Sequence, residues 1–419
     1  MAWPKSLLST GGGHIGRRRF AGSTASRAAI VLALAALTVS TTACGAASST
    51  ASAGTIRIGI TDALSGPGAF YGIPQLGAWK VVANQYNSQG GVNVGGKKYK
   101  IKLFSADDQW DPTTVKNVVD QQILQDHVQV VVTSGDPQDP VVAPVTEANH
   151  VILEDRTANV DLVKKPNKYV WNSWSAAYVD THAYYKALLK LHPSIKSVYG
   201  LGVDYQYDIN NDAWDRSTVK SMGLKWLGQT FYPASTVDFS SILEPIVQAH
   251  PDLIALGSES TDTPAILKTL RQLGYTGYVG SDVPSEDLQR DIKGAGSAAN
   301  NFYQVEAFTW PHTAQLTKFI SQFEALGYQW DALAADQWIA NELMIKAFQD
   351  AGTVTNTAKV MKALTTVSVR DWLVPGGPKI SMGGLKTYGQ VRELDFPLAL
   401  NQDVNGSPKT QAVLHFSIP

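Results

Sequence analysis

Residues 55–91 read TIRIGITDALSGPGAFYGIPQLGAWKVVANQYNSQGG. Ile56, Ile58 and Ile60 alternate with Arg57 and Gly59, the period of two expected of a strand. The loop Ser65-Gly66-Pro67-Gly68 breaks that pattern. Leu76, Trp79, Ala83 and Tyr86 then mark one face of a helix, which Gly90-Gly91 stops. Strand, loop and helix make one unit of α/β architecture, and the chain goes on to repeat it.

Tyr99, Ile101 and Leu103 form the next strand. Asp111-Pro112 is a helix start with a mechanism: Asp accepts from the free N–H groups of the first turn, and Pro costs nothing at the first helical position. Val115, Val119 and Ile123 follow at helical spacing. Val128–Val132 is apolar except for Gln129, as suits a parallel strand covered on both faces. Further strands are expected at Val151–Leu153, Ser197–Val203, Leu224–Phe231, Asp252–Leu256, Gly277–Gly280 and Asn301–Ala307. Helical stretches lie between them, for example Phe239–Ala249 and Pro264–Leu273. Thr313–Leu326, Asp331–Ala351 and Asn356–Leu364 read as helices, and Arg370–Pro419 as a strand- and turn-rich tail. Alternation repeated this often predicts two doubly wound α/β lobes with parallel sheets rather than one.

The N-terminus reads as an export signal. Lys5, Arg17, Arg18, Arg19 and Arg27 precede the apolar run Ala28–Val39, and Thr41-Thr42-Ala43-Cys44 follows as a lipobox-like cleavage site. Cys44, the chain's single cysteine, is the expected lipidation site and the new N-terminus. Residues 1–44 are therefore assigned to a lipoprotein signal and residues 45–54, all small or polar, to a flexible tether. Arg17-Arg18-Arg19-Phe20 also fits a twin-arginine export pattern. The signal holds five of the 35 Lys+Arg and none of the 36 Asp+Glu, which leaves 30 bases against 36 acids in the remainder. That balance offers no basic stripe for nucleic acid. No second apolar run is long enough to span a bilayer, and no cysteine remains for a disulfide.

Signs of catalysis are missing from the sequence. It contains no His-x-x-x-His pair, no Gly-x-Ser-x-Gly elbow and no Gly-x-x-x-x-Gly-Lys-Ser/Thr phosphate loop. His127, His150, His182, His192, His250, His312 and His415 are scattered and read as surface or helix-end residues. Asp107-Asp108 with Asp111 lacks the alternating donors and terminal Glu of a calcium loop. No cofactor or metal is implied, and the chain is expected not to be an enzyme.

What the sequence does supply is loops at the C-terminal ends of strands, where open α/β sheets bind ligands. Three follow strands of the first half: Ser65–Gly72, Thr133–Pro140 and Glu154–Asn159. Three follow strands of the second: Asp204–Tyr207, Gly257–Ser260 and Gly280–Asp282. Polar and aromatic tips divided between two lobes suit a closing cleft.

These residues carry a resemblance. Ile56–Gly91, Asp107–Pro112, Asp204 with Tyr207, Asp238-Phe239-Ser240 and Leu270–Tyr275 leading to Gly280-Ser281-Asp282 resemble, in order and spacing, the Leu/Ile/Val-binding family. Its members are extracytoplasmic solute-binding lipoproteins of ABC importers with the type I periplasmic-binding fold. The resemblance covers nearly all of Ile56 to about Ala351. It implies two lobes joined by three crossovers, here 55–176 plus 308–370 and 177–307 plus 371–419. Ligand lies between them, and closure signals occupancy to permease subunits in the membrane. By position, Tyr71 would wall the pocket. Ser134, Gly135, Asp136 and Pro137 would stand where the family offers donors to a carboxylate. Thr157, Ala158 and Asn159 would add hydrogen bonds. Tyr207, Glu259 and Ser260 would face the ligand from the second lobe, and Asp282 would stand where the family keeps an acid for an ammonium group. The implied partners are a small solute, the permease and the lipid bilayer; the implied state is a monomer.

Asp136 and Asp139 depart from that pattern, because two anions repel a ligand carboxylate by several kcal/mol at intermediate dielectric. Either Asp136 turns away, to Arg156 or to cap the following helix, or the ligand has no carboxylate there. An amino acid leads the expectation; amides, polyols, aromatic compounds and cationic solutes stay open. Two rivals remain: a sensory receptor of the same fold that acts on a signalling partner, and a secreted α/β hydrolase.

Overall fold

The computed structural model of the chain describes residues 54–414 except 67, 136–137, 158–159, 164–166, 175–176, 205, 258–261, 284–286, 383–391 and 396. For residues 160, 161, 177–179, 206, 207 and 395 it describes the backbone alone. Cys44 and the export segment lie outside the described residues.

The Ile56–Ile60 alternation becomes β1 (Gly54–Asp62), and its three isoleucines are fully buried. β1 lies between β3 (Lys97–Asp107) and β4 (Val130–Thr133), parallel to both. β5 (Ile152–Asp155) and β6 (Val170–Asn172) extend the parallel run, while β2 (Val92–Val94) pairs antiparallel to β3 at the other edge. The order is β2-β3-β1-β4-β5-β6. Valines in β4 serve both faces of this sheet. Val130 and Val132 join a cluster with Trp79 of α1 (Ala69–Ser88) and Ile339 of α10 (Leu333–Ala351). Val131 joins Val119 of α2 (Pro112–Leu124) and Val142 of α3 (Asp139–Asn149) on the opposite side. Period-two alternation thus feeds two helical layers. Asp111 caps α2 as expected, its Oδ1 accepting from Thr114 N at 2.8 Å.

The second sheet centres on β7 (Ser197–Val203), parallel to β8 (Lys225–Tyr232) and β9 (Leu253–Gly257). β10 (Tyr278–Ser281) and β11 (Phe302–Glu306) continue the parallel run. β15 (Leu398–Asp403) and β16 (Pro408–Leu414) then add an antiparallel margin from the tail. The order is β16-β15-β11-β10-β9-β7-β8. α4 (Ala177–Leu191) and α5 (Gln206–Ser221) cover one face; α6 (Ser240–Gln248), α7 (Thr263–Gln272) and α8 (Leu288–Ala295) cover the other.

Each sheet reverses its strand order at its first strand: β1 sits between β3 and β4, β7 between β8 and β9. Such a reversal opens a crevice outside the carboxyl ends of the strands. α9 (Ala314–Ala325) and α11 (Thr357–Leu364) belong with the first sheet. α9 reaches α1 at Gly77, where a Cβ would come within 2.3 Å of the Phe323 ring.

Three chain passages join the lobes, and polar groups tie them together. Asn172, at the end of β6, donates its N–H to Arg392 O at 2.9 Å and its Nδ2 to Glu393 Oε2 at 2.9 Å. Glu306, ending β11, accepts from Asn401 Nδ2 at 2.6 Å. A small sheet of β12 (Ser368–Arg370), β13 (Lys379–Met382) and β14 (Leu394–Asp395) lies beside the first lobe, through the Asn172–Glu393 bridge. The third passage therefore falls after Leu394, later than the 370/371 division expected from sequence. Two-residue β14 carries too little pattern to be read in advance.

Candidate ligand-binding site

The carboxyl ends of β1, β4 and β5 meet in a hydrogen-bonded rim. Ser134 Oγ contacts Asp62 Oδ2 and lies 3.1 Å from Gln75 Oε1. Gln75 Nε2 donates to Thr133 O at 3.1 Å, which turns Oε1 toward the serine. One hydroxyl hydrogen cannot serve two acceptors. Ser134 donates to the Asp62 carboxylate while that is ionised; once Asp62 takes up a proton the competition ends, for the acid can donate to Ser134 and Ser134 to Gln75. Burial supports that state. It pushes the Asp62 carboxyl up to about 7, helped by the nearby Asp108 charge and opposed by the Ser134 and Ala63 hydrogen bonds. Gln138 Nε2 donates to Asp108 Oδ2 at 2.5 Å and ties the β3 loop to the start of α3.

Thr157 and Gly135 belong to the same rim. Thr157 Oγ1 donates to Asp139 Oδ2 at 2.9 Å, and its N–H donates to Asn172 Oδ1 at 3.2 Å. Asp139 is 2% exposed and opens α3, so its carboxylate is directed at Thr157. Gly135 has φ +99°, and a Cβ there would stand 2.4 Å from Arg156 O. Only glycine lets the two loops approach this closely. Arg156 turns away from them: its Nε lies 3.2 Å from Asp336 Oδ2, and its guanidinium lies 4.0 Å above the Trp174 ring.

Tyr71 stands in an aromatic wall beside this rim. Its ring centroid is 4.1 Å from that of Phe70 and 5.4 Å from that of Trp110. All three side chains are half-buried. Gln109 and Trp110 adopt left-handed backbone (φ 53° and 55°), held by Asp107 Oδ1 on Gln109 N and Asp108 Oδ1 on Trp110 N. Left-handed backbone at a tryptophan is costly and marks a position fixed by its surroundings. A Cβ on Gly68 would lie 2.7 Å from the Trp110 ring, so that glycine makes room for the wall.

In the second lobe Asp282 sits just past β10 but is drawn inward. Thr181 Oγ1 donates to its Oδ2 at 2.6 Å and Asn211 Nδ2 to its Oδ1 at 3.0 Å. Both partners belong to the second lobe, and burial raises its pKa. It thus helps hold α4 and α5 to the sheet. A carboxyl so enclosed is a poorer counter-charge for a solute cation than an exposed one. Asp212 and Asp215 are also buried, and burial raises both, Asp212 to about 6.

Of the residues expected at the site, Ser134, Gly135 and Thr157 come together on one rim, with Tyr71 in the wall beside it. Asp282 lies within the second lobe. Asp136, Pro137, Ala158, Asn159, Glu259 and Ser260 are outside the described residues, and Tyr207 is described in backbone only, in the first turn of α5. Sequence reading passes over Asp62, Gln75, Gln138 and Trp110. Asp62 carried one usable signal, an acid at the carboxyl end of a strand, where open α/β sheets bind ligands. Among the described residues no group of three or more His, Cys, Asp or Glu is arranged to hold a metal ion, and no helix is long and apolar enough to cross a membrane.

Solved structures share this architecture. A leucine-binding protein from Thermotoga maritima is 18% identical, with 86% of this chain and 99% of that one covered at a TM-score of 0.70. A solute-binding protein of an ABC transporter from R. palustris, in complex with benzoate, is 16% identical over 87% and 97% of the two chains at 0.71. An amino acid ABC transporter substrate-binding protein from Pseudomonas fluorescens is 15% identical over 88% and 97% at 0.72. At such identities the likeness speaks for the fold. The family whose description is periplasmic binding protein matches residues 55–390, a span that holds both sheets' parallel strands. With two doubly wound lobes and a rim of hydrogen-bonding loops inside that span, this chain belongs to the periplasmic binding protein family.

Proposed function

We propose that the chain is the lipid-anchored solute receptor of an ABC importer, taking a small polar solute between its lobes and releasing it unchanged. The observation that carries this reading is the pairing of two sheets, each reversed at its first strand, through three tied passages. Ligand contacts from both lobes would favour the closed arrangement over the open one, and only such differential affinity can drive closure. The family of the chain points to a place outside the cytoplasm, and Cys44 supplies the membrane tether.

An amino acid or related compound remains the leading solute. The Phe70–Tyr71–Trp110 wall favours one with an apolar or flat face, the kind of surface that rings stack against. Benzoate in the R. palustris protein is a solute of that shape. Below about pH 7, where Asp62 holds its proton, the rim carries one negative charge fewer, which eases the approach of an anionic group.

A thermal-shift screen against amino acids, amides, sugars and aromatic acids tests the reading. A true solute at about a hundredfold over its Kd adds about 2.7 kcal/mol of stability and should be recovered intact. Turnover of a bound compound would overturn it in favour of a hydrolase. Cys44→Ala should move the protein from the membrane fraction to the soluble one; unchanged retention would remove the anchor from the proposal.

A further inference from the structure

α8 of the second lobe and the segment before α10 of the first are joined by an ion pair. Arg290 Nη1 lies 3.5 Å from Asp331 Oδ2. Among the described residues this is the one ion pair that links the lobes. Both partners stand at the carboxyl-end side of their sheets. Arg290 lies in the first turn of α8, which follows β10, and its N–H donates to Asp287 Oδ1 at 2.9 Å. Asp331 precedes α10, whose Asp336 holds Arg156 from the end of β5. Asp331 Oδ1 also accepts from Leu333 N at 3.0 Å, so one oxygen fixes the helix start while the other reaches across.

We infer that Arg290 and Asp331 form a latch across the crevice that biases the unliganded lobes toward the arrangement in which this pair is made. Two features keep the latch weak. The Arg290 side chain is 37% exposed, so water screens its attraction to Asp331. Its Nε and Nη2 are closed to solvent and have no acceptor, a cost that separation of the lobes relieves by readmitting water. A bias of this size leaves the final balance to a ligand, because an equilibrium locked shut could not report occupancy. The inference concerns the lobes themselves and holds whatever solute the crevice takes.

Electron–electron distance measurements on the unliganded full chain test it. Spin labels would be placed at Lys116→Cys on α2 and Lys268→Cys on α7, both exposed positions, in a Cys44→Ser background. Asp331→Asn keeps the oxygen that fixes α10 but loses the charge; Arg290→Gln loses the other partner. Each should lower the short-to-long distance ratio about two- to fivefold, and the double variant no further than either alone. Raising salt to about 1 M should lower the ratio in the parent and leave both variants unmoved. If Asp331→Asn fails to fold, Arg290→Gln at a half-exposed position carries the test alone, with the salt series. Unchanged distributions, or shifts in the double variant that simply add, would overturn the latch.

Discussion

The Ser134 hydroxyl is wedged against the buried Asp62 carboxyl where β1 and β4 end. That contact ties the first sheet's reversal point to the loop expected to receive the solute. It also makes the rim sensitive to protons.

Asp62 is raised from 3.8 to about 7 by burial above all. The folded chain therefore holds a proton that the unfolded chain has already released. This contribution to stability is whole below about pH 4 and is lost as pH rises through about 7, at about 1.4 kcal/mol per unit. Asp62→Asn should remove that slope, since an amide keeps a donor toward Ser134 and cannot ionise. Urea midpoints for parent and variant at intervals from pH 5 to 8 would decide it. Parallel curves would mean that Asp62 stays ionised in the fold.

Gly135→Ala should be destabilising by about 2–4 kcal/mol. Its backbone lies in the left-handed region, and the new Cβ would fall 2.4 Å from the Arg156 carbonyl oxygen. Gly96→Ala is the matching control, for it shares a positive φ (80°) but meets nothing within 4 Å. Equal losses in the two would show that the approach of the two loops contributes nothing.

How much of this was readable in advance varies from element to element. β1 and α1 declare themselves because Ile56, Ile58 and Ile60 must share a face and Leu76, Trp79 and Ala83 must share another. α5 does not. Val219 apart, the residues it buries are Asp208, Asn211, Asp212 and Asp215, and two of these carboxylates lie over Gly200, Gly202 and Gly257 of the sheet. No apolar stripe exists there to reveal a helix, because glycines in the strands leave room for acids instead. The rim shows the same divide. The loop position of Ser134 and Thr157 follows from their place after strands. The roles of Asp62, Gln75 and Gln138 depend on partners 30 to 77 residues away and exist only once the sheet has assembled. Nothing in the sequence sets Trp110 apart; its left-handed backbone puts it in the wall.

Arg156 and Asp336 offer a test of what holds the end of β5. Asp336 is 3% exposed, and burial raises its pKa to about 6 despite the arginine. Asp336→Asn would leave an almost enclosed guanidinium without its counter-charge, at an expected cost of about 3–5 kcal/mol. Arg156→Met in the same chain should recover part of that loss, because the uncompensated charge goes with it. A double variant less stable than the sum of both singles would show that the pair acts through packing on Trp174 instead.

The aromatic wall is best tested once a solute has emerged from the screen. Tyr71→Ala and Trp110→Ala should each weaken binding by about 0.5–1.5 kcal/mol, the worth of one ring contact, and should do so more for a flat solute than for an aliphatic one. Gly68→Ala reaches the wall without touching the solute, since its Cβ would press on the Trp110 ring at 2.7 Å and on the Ala63 Cβ at 2.8 Å. It should therefore lose affinity in step with Trp110→Ala, and calorimetric titration of the three variants reads this directly. Full affinity in Gly68→Ala alongside a weakened Trp110→Ala would mean that the ring can shift and still bind. Full affinity in all three would move the solute away from this side of the rim.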